Sequence, residues 1–159
     1  MENLDLSKIK KFFYKIIHPI LKYYWFVFRP KTRGVKCLIE NNGKFLLVKL
    51  NYAHHKWTIP GGGVKRGESF LGAAIRETKE ETGIEIFEPI FIGSYTGIIE
   101  YKNDSVEVYL AHSHDIVYKI DPVEIKEAKW FSVNELPNDR AASVDRIFKF
   151  YEEFKFGKN

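Results

Sequence analysis

The chain has 159 residues, 45% of them hydrophobic and 29% charged, and carries a formal net charge of +4. That profile fits one globular domain and excludes a disordered or membrane-embedded composition. A single cysteine, Cys37, excludes an internal disulfide and suits a reducing, cytoplasmic setting.

The charge is uneven: residues 1–36 hold nine Lys/Arg against two Asp/Glu, a net +7 that leaves the remainder at −3. Ser7 can cap a helix in which Ile9, Phe12, Phe13, Ile16, Ile17 and Ile20 share one face, opposite Lys8, Lys11, Lys15 and Lys22. Pro19 kinks or ends it. Three roles compete for this amphipathic segment: packing on the body of the protein, a homodimer contact, or peripheral contact with a membrane surface. Packing is favoured over membrane contact, and monomer and homodimer both stay open. The stretch Phe12–Phe28 is too short and too interrupted by Lys15, His18, Pro19 and Lys22 to span a bilayer, which takes about 20 apolar residues. Residues 1–33 are therefore set apart as a basic helix and connector, and 34–159 as the main domain.

Val35–Glu40 and Lys44–Leu50 predict two strands joined by an Asn42-Gly43 hairpin. Trp57-Thr58-Ile59 leads into Pro60 and three glycines, and a helix is predicted over Ser69–Thr82 with Gly83 ending it. Phe87–Tyr101 and Ser105–Ser113 read as β-rich around a Lys102-Asn103-Asp104 turn. Ala128–Phe131 is a short strand and Val133–Leu136 one helical turn. Ala141–Phe156 is a closing amphipathic helix with Val144, Ile147, Phe148 and Tyr151 inward. This order favours a mixed α/β layer fold.

The Ser69–Thr82 helix carries the chemistry. Glu77, Glu80 and Glu81 are spaced i, i+3, i+4 and meet on one face, which continues the stripe of Phe70, Ala73 and Ala74. Leu71, Ile75, Thr78 and Thr82 form a second stripe, expected to be the core face. Three like charges repel, so either a hard divalent cation or the neighbouring Arg76 and Lys79 must offset them. The glycines upstream allow close backbone approach, and their carbonyls could complete a cation shell. They are not a P-loop, because no Gly-Lys-Ser/Thr follows; Arg66 breaks the dinucleotide-binding pattern.

Gly62–Ile84 resembles the Nudix box, G-x5-E-x7-R-E-U-x-E-E-x-G-U, through Gly62, Glu68, Arg76, Glu77, Glu80, Glu81, Gly83 and Ile84, with Thr78 in place of the first bulky apolar residue. A chance match is of order 10⁻⁸ per starting position, roughly. The resemblance extends over about residues 34–155. It implies an α/β/α sandwich with a mixed sheet, and Mg²⁺-dependent (or Mn²⁺-dependent) hydrolysis of a pyrophosphate bond in a nucleoside diphosphate linked to another group. A nucleoside triphosphate, a dinucleoside polyphosphate and a nucleotide sugar such as ADP-ribose all qualify, each releasing a nucleoside monophosphate. It also implies Glu77, Glu80 and Glu81 as metal ligands with the Gly61 carbonyl, Arg76 as an orienting partner for a box glutamate, and Glu68 as a brace of the loop–helix junction. The general base in many members is a glutamate outside the box; Glu124 is the first choice, then Glu127, then Glu107. Trp57, Tyr95 and Tyr101 could stack a base, although strand aromatics more often pack. His54 and His55 are adjacent rather than at metal-ligand spacing. Alternatives are a non-catalytic nucleotide-binding module of the same fold and an RNA 5′-end pyrophosphohydrolase. Nucleic acid is disfavoured because the N-terminal lysines follow helical amphipathicity without interleaved aromatics.

Overall fold

The structure is a computed structural model, and it describes residue 17 and residues 31–51, 56–99, 102–113 and 118–157. The predicted N-terminal helix apart from Ile17, together with His54, His55 and Tyr101, lies outside the described residues. The chain divides into two compact units, Met1–Thr32 with Thr96–Ser105, and Arg33–Tyr95 with Val106–Asn159. In the first, the Thr32 hydroxyl donates to Asp104 Oδ1 at 2.8 Å. The cores and the candidate site described below belong to the second.

The strands are β1 Lys31–Asn41, β2 Lys44–Leu50, β3 Trp57–Thr58, β4 Ile90–Ile99, β5 Lys102–His112 and β6 Ile125–Ser132. The helices are α1 Phe70–Thr82 and α2 Ala142–Phe156, with one 3-10 turn at Val133–Glu135. The sheet runs β3-β2-β1-β5-β4, and β6 pairs with β2. The β1–β2 turn falls on Asn42-Gly43, both at positive φ (48° and 75°), as a tight hairpin of this hand requires.

Beyond that turn the two strands part, and Trp57–Gly63 fills the split. Lys49 pairs with Trp57 on the β2 side, while Val35 and Cys37 donate to the Gly62 and Pro60 carbonyls on the β1 side. The glycine run is therefore held at the mouth of a divided sheet. A parallel bridge between Trp57 and Arg140 joins the antiparallel pairings.

Alternation along the strands builds two cores. Val35, Cys37, Ile39, Leu46, Val48, Tyr109 and Ala111 face Ala73 and Ala74 of α1. Leu38, Phe45, Leu47, Val108 and Leu110 face Val144, Ile147, Phe148 and Tyr151 of α2. Period-2 strands covered on both faces give the α/β/α sandwich.

Two expectations need correction. Lys102, Asn103 and Asp104 lie in β5, so they do not form the turn. On α1, Leu71 and Ile75 are exposed, while Ala73, Ala74, Thr78, Glu81 and Thr82 are buried. The covered face of this helix runs between the two stripes: it takes Ala73, Ala74 and Glu81 from one and Thr78 and Thr82 from the other, and leaves Glu80 exposed.

Thr78, where the box usually has an apolar residue, is fully buried. Its hydroxyl has no oxygen or nitrogen partner, and the weak thiol of Cys37 is the polar group beside it. Burying an unpaired hydroxyl costs about 1–3 kcal/mol. Thr78→Val keeps the shape and should raise stability by about 1 kcal/mol in a denaturant titration; a loss would show that the Cys37 contact matters more than the desolvation.

Burial also pushes the Cys37 thiol up to about 12 from 9.0. The folded state thus keeps a proton that the unfolded state releases. The associated stability is intact below pH 9 and is lost as pH rises towards 12. At pH 8 the native protein should leave a thiol reagent unreacted, and guanidinium should release one thiol per chain. Rapid labelling without denaturant would contradict this burial.

Candidate active site

Helix α1 begins with Ser69, whose hydroxyl accepts from the Gly72 N–H at 3.0 Å, and ends at Gly83, left-handed at φ 70°. These caps fix the helix relative to the loop before it. Arg76 then ties loop and helix together. Its Nε and one terminal nitrogen grip both oxygens of Glu68 (2.8 and 2.9 Å), and that second nitrogen also donates to the Gly63 carbonyl at 3.0 Å. The other terminal nitrogen bridges Glu77 at 2.6 Å and Glu80 at 2.9 Å. A planar guanidinium can serve four groups in this way; an ammonium cannot. Glu68 also accepts from the Lys65 N–H at 2.8 Å. The hydrogen bonds from Arg76 and Lys65 hold its carboxyl down at about 2.

The glycines are needed where they stand. Gly61 has φ 139°, and a Cβ there would lie 2.2 Å from the Val35 carbonyl oxygen. A Cβ on Gly62 would lie 2.6 Å from the Glu77 carboxyl carbon. The Gly61 N–H donates to Glu81 Oε2 at 2.8 Å. Glu81 is only 3% exposed, and burial pushes its carboxyl up to about 7 against the opposing pull of Lys36 and the Gly61 N–H. Glu77 and Glu124 push in the same direction as burial, so the Glu124 charge acts on this site.

Glu124 sits in a turn fastened from two sides. The Glu124 carbonyl accepts from Asn51 N–H, and the Asn51 carboxamide donates to the Pro122 and Val123 carbonyls. Asp121 N–H donates to the Glu81 carbonyl at 3.2 Å, and Lys119 N–H to that of Thr82 at 2.8 Å. Glu127 pairs with Lys49 in β6 and is exposed. Glu107 accepts from the Tyr109 hydroxyl at 2.6 Å. Of the three candidate bases, only Glu124 is among the groups that act on Glu81.

Trp57 is 5% exposed, packed edge-on against Phe131 with the Lys49 ammonium 4.7 Å from its ring centre, so it serves the core rather than an open stacking platform. Tyr95 is half-buried beneath the Arg146 guanidinium, at 4.9 Å. Lys36 joins the site as well, and no local pattern in the sequence singles it out, because its partners are the distant Ile59 and Gly61 carbonyls.

Among the described residues no three Asp, Glu, His or Cys side chains already converge as a cage for a metal. Arg76 lies between Glu77 and Glu80, and one oxygen of Glu81 is turned to the Gly61 amide. The donor set nonetheless fits a hard divalent cation. It is all oxygen, it includes a buried carboxylate whose charge is costly without a cation, and it faces Gly61 and Gly62, where no Cβ fits without a shift.

Comparison with known proteins agrees with this geometry. The NUDIX domain matches residues 30–154. An ADP-ribose pyrophosphatase of Methanocaldococcus jannaschii is 31% identical over 147 residues, covering 86% of this chain and 82% of its own. Nudix hydrolase 5 of Arabidopsis thaliana is 33% identical over 108 residues, 64% of this chain, which spans only 36% of that longer relative. The crystal structure of a MutT NUDIX hydrolase from Burkholderia pseudomallei superposes with a TM-score of 0.70 at 25% identity, covering 75% of this chain and 96% of that one. With the box on a capped helix, the glycine loop in a split sheet and a family match over most of its length, the chain belongs to the Nudix hydrolase family.

Proposed function

We propose that the protein is a divalent-cation-dependent pyrophosphohydrolase that cleaves a nucleoside diphosphate linked to another group and releases a nucleoside monophosphate. The observation that carries this reading is the buried Glu81 carboxylate, set beside Glu77 against glycines that leave room for nothing larger. Glu77, Glu80 and Glu81 would hold Mg²⁺, or Mn²⁺ in its place, together with the Gly61 carbonyl. When bound, the cation supplies charge neutralisation and Lewis acidity towards the diphosphate.

The chain's own residues do the rest. Arg76 keeps Glu77 and Glu80 in fixed orientation, and Glu68 anchors Arg76 to the loop. Glu124 takes the proton from the attacking water, from a turn fastened to the end of α1. A carboxylate within reach of the attacking water suits this task.

Among substrates, ADP-ribose comes first, because the relative of that name aligns over most of both chains. The test is a panel of ADP-ribose, diadenosine tetraphosphate, nucleoside triphosphates and 5′-triphosphorylated RNA, assayed with Mg²⁺, with Mn²⁺ and with EDTA. Nucleoside monophosphate should appear from ADP-ribose only with a divalent cation. Release from the RNA alone would move the protein to end-processing; binding without release from any compound would make it a nucleotide-binding module.

A further inference from the structure

Lys36 is a partly buried lysine of β1 whose side chain bends to the glycine loop. Its ammonium donates to the Ile59 carbonyl at 2.7 Å and faces the Gly61 carbonyl at 3.4 Å. It is also the positive charge that acts on Glu81, whose own oxygen holds the Gly61 N–H. Gly61 is thus bracketed, with a carboxylate on its N–H and an ammonium on its carbonyl. Arg76 serves Glu77, Glu80 and Glu68, so among the described residues Lys36 is a separate cation on the Glu81 side of the site.

We propose that Lys36 is a stand-in cation: in the metal-free protein its ammonium occupies the Gly61 carbonyl and balances Glu81, and a divalent cation must displace it from both. This rests on the reading of Glu81 and Gly61 as metal ligands. Two cations cannot share one carbonyl and one carboxylate without repulsion, and at the effective dielectric of a protein interior a unit charge a few ångströms away is a large effect. Lys36 therefore lowers metal affinity while supporting the metal-free fold, and acts as a positioning residue rather than a catalytic one.

Mn²⁺ titration, followed by the electron-paramagnetic signal of the free ion, tests this without reference to turnover. Lys36→Met keeps the stem and removes the charge. It should bind Mn²⁺ about ten-fold more tightly than wild type. Its melting temperature in EDTA should fall, and added Mn²⁺ should raise it by more than it raises that of wild type. Lys36→Arg should behave as wild type in both measurements. Unchanged or weaker Mn²⁺ binding by Lys36→Met would overturn the proposal. Should that variant not fold, Lys36→Gln, which retains a donor for the Ile59 carbonyl, gives the same comparison. Glu81→Gln in the same titration separates the two ideas. If it binds Mn²⁺ as wild type does, the ligand reading fails and the proposal with it; if it loses Mn²⁺ while Lys36→Met gains nothing, only the role of Lys36 is wrong.

Discussion

Glu81→Gln should lower kcat by about 10³-fold while leaving the fold intact. The amide oxygen of glutamine can still accept the Gly61 N–H, so the loop keeps its anchor. What disappears is a negative charge, and with it the donor that a hard cation prefers. Stability of the metal-free protein supplies the control. Burial raises the Glu81 carboxyl to about 7, so between pH 4.5 and 7 the folded state holds a proton that the unfolded state has released. The stability tied to that proton is full below pH 4.5 and is lost as pH rises through 7. In EDTA the variant should match wild type at pH 4.5 and exceed it at pH 8. Near-wild-type turnover in Glu81→Gln would remove Glu81 from the ligand set, and a variant less stable than wild type at pH 8 would show that the charge is held favourably rather than at a cost.

Two neighbouring glycines should fail in opposite ways. Gly61→Ala places a Cβ against the backbone oxygen of Val35, at a φ that non-glycine residues rarely adopt. The backbone of β1 would have to yield, and the expected loss is about 3 kcal/mol of stability or more. In a chain of this size that lowers the melting temperature by roughly 10 °C. Gly62→Ala instead meets the end of the Glu77 side chain. A carboxylate can turn aside at little cost to the fold, but turning it aside misplaces a proposed ligand. Turnover should drop roughly 10²-fold with the melting temperature nearly unchanged. Equal stability losses in the two variants would show that the loop acts as one rigid unit and that this division between fold and site is wrong.

The parts of this site written in short-range spacing were legible in the sequence. The i, i+3, i+4 glutamates, the Asn42-Gly43 turn and the inward face of α2 at Val144, Ile147, Phe148 and Tyr151 all follow from local periodicity. The covered face of α1 did not. A wheel ranks stripes by hydrophobicity, so it places Leu71 and Ile75 in the core with Thr78 and Thr82, whereas only the two threonines are covered, beside Ala73, Ala74 and Glu81. Small residues allow close approach to the strands, and the buried charge is tolerated because the Gly61 amide and Lys36 meet it from distant parts of the chain. Strand β6 starts at Ile125, earlier than expected, because the register shift between Lys49 and Leu50 breaks the alternation that would have announced it. Lys36 was missed because nothing local marks a lysine whose partners are carbonyls more than 20 residues away.

The fastening of the 119–124 turn onto α1 has a consequence for synthesis. The carbonyls of Glu81 and Thr82 find their partners in Asp121 and Lys119, about 40 residues later in the chain. A ribosome would expose the whole Nudix box well before the segment that finishes its last helical turn and brings Glu124 to it. The nascent chain would carry every box glutamate yet present no assembled site, so catalytic competence would arrive in one late step of translation rather than grow with the box.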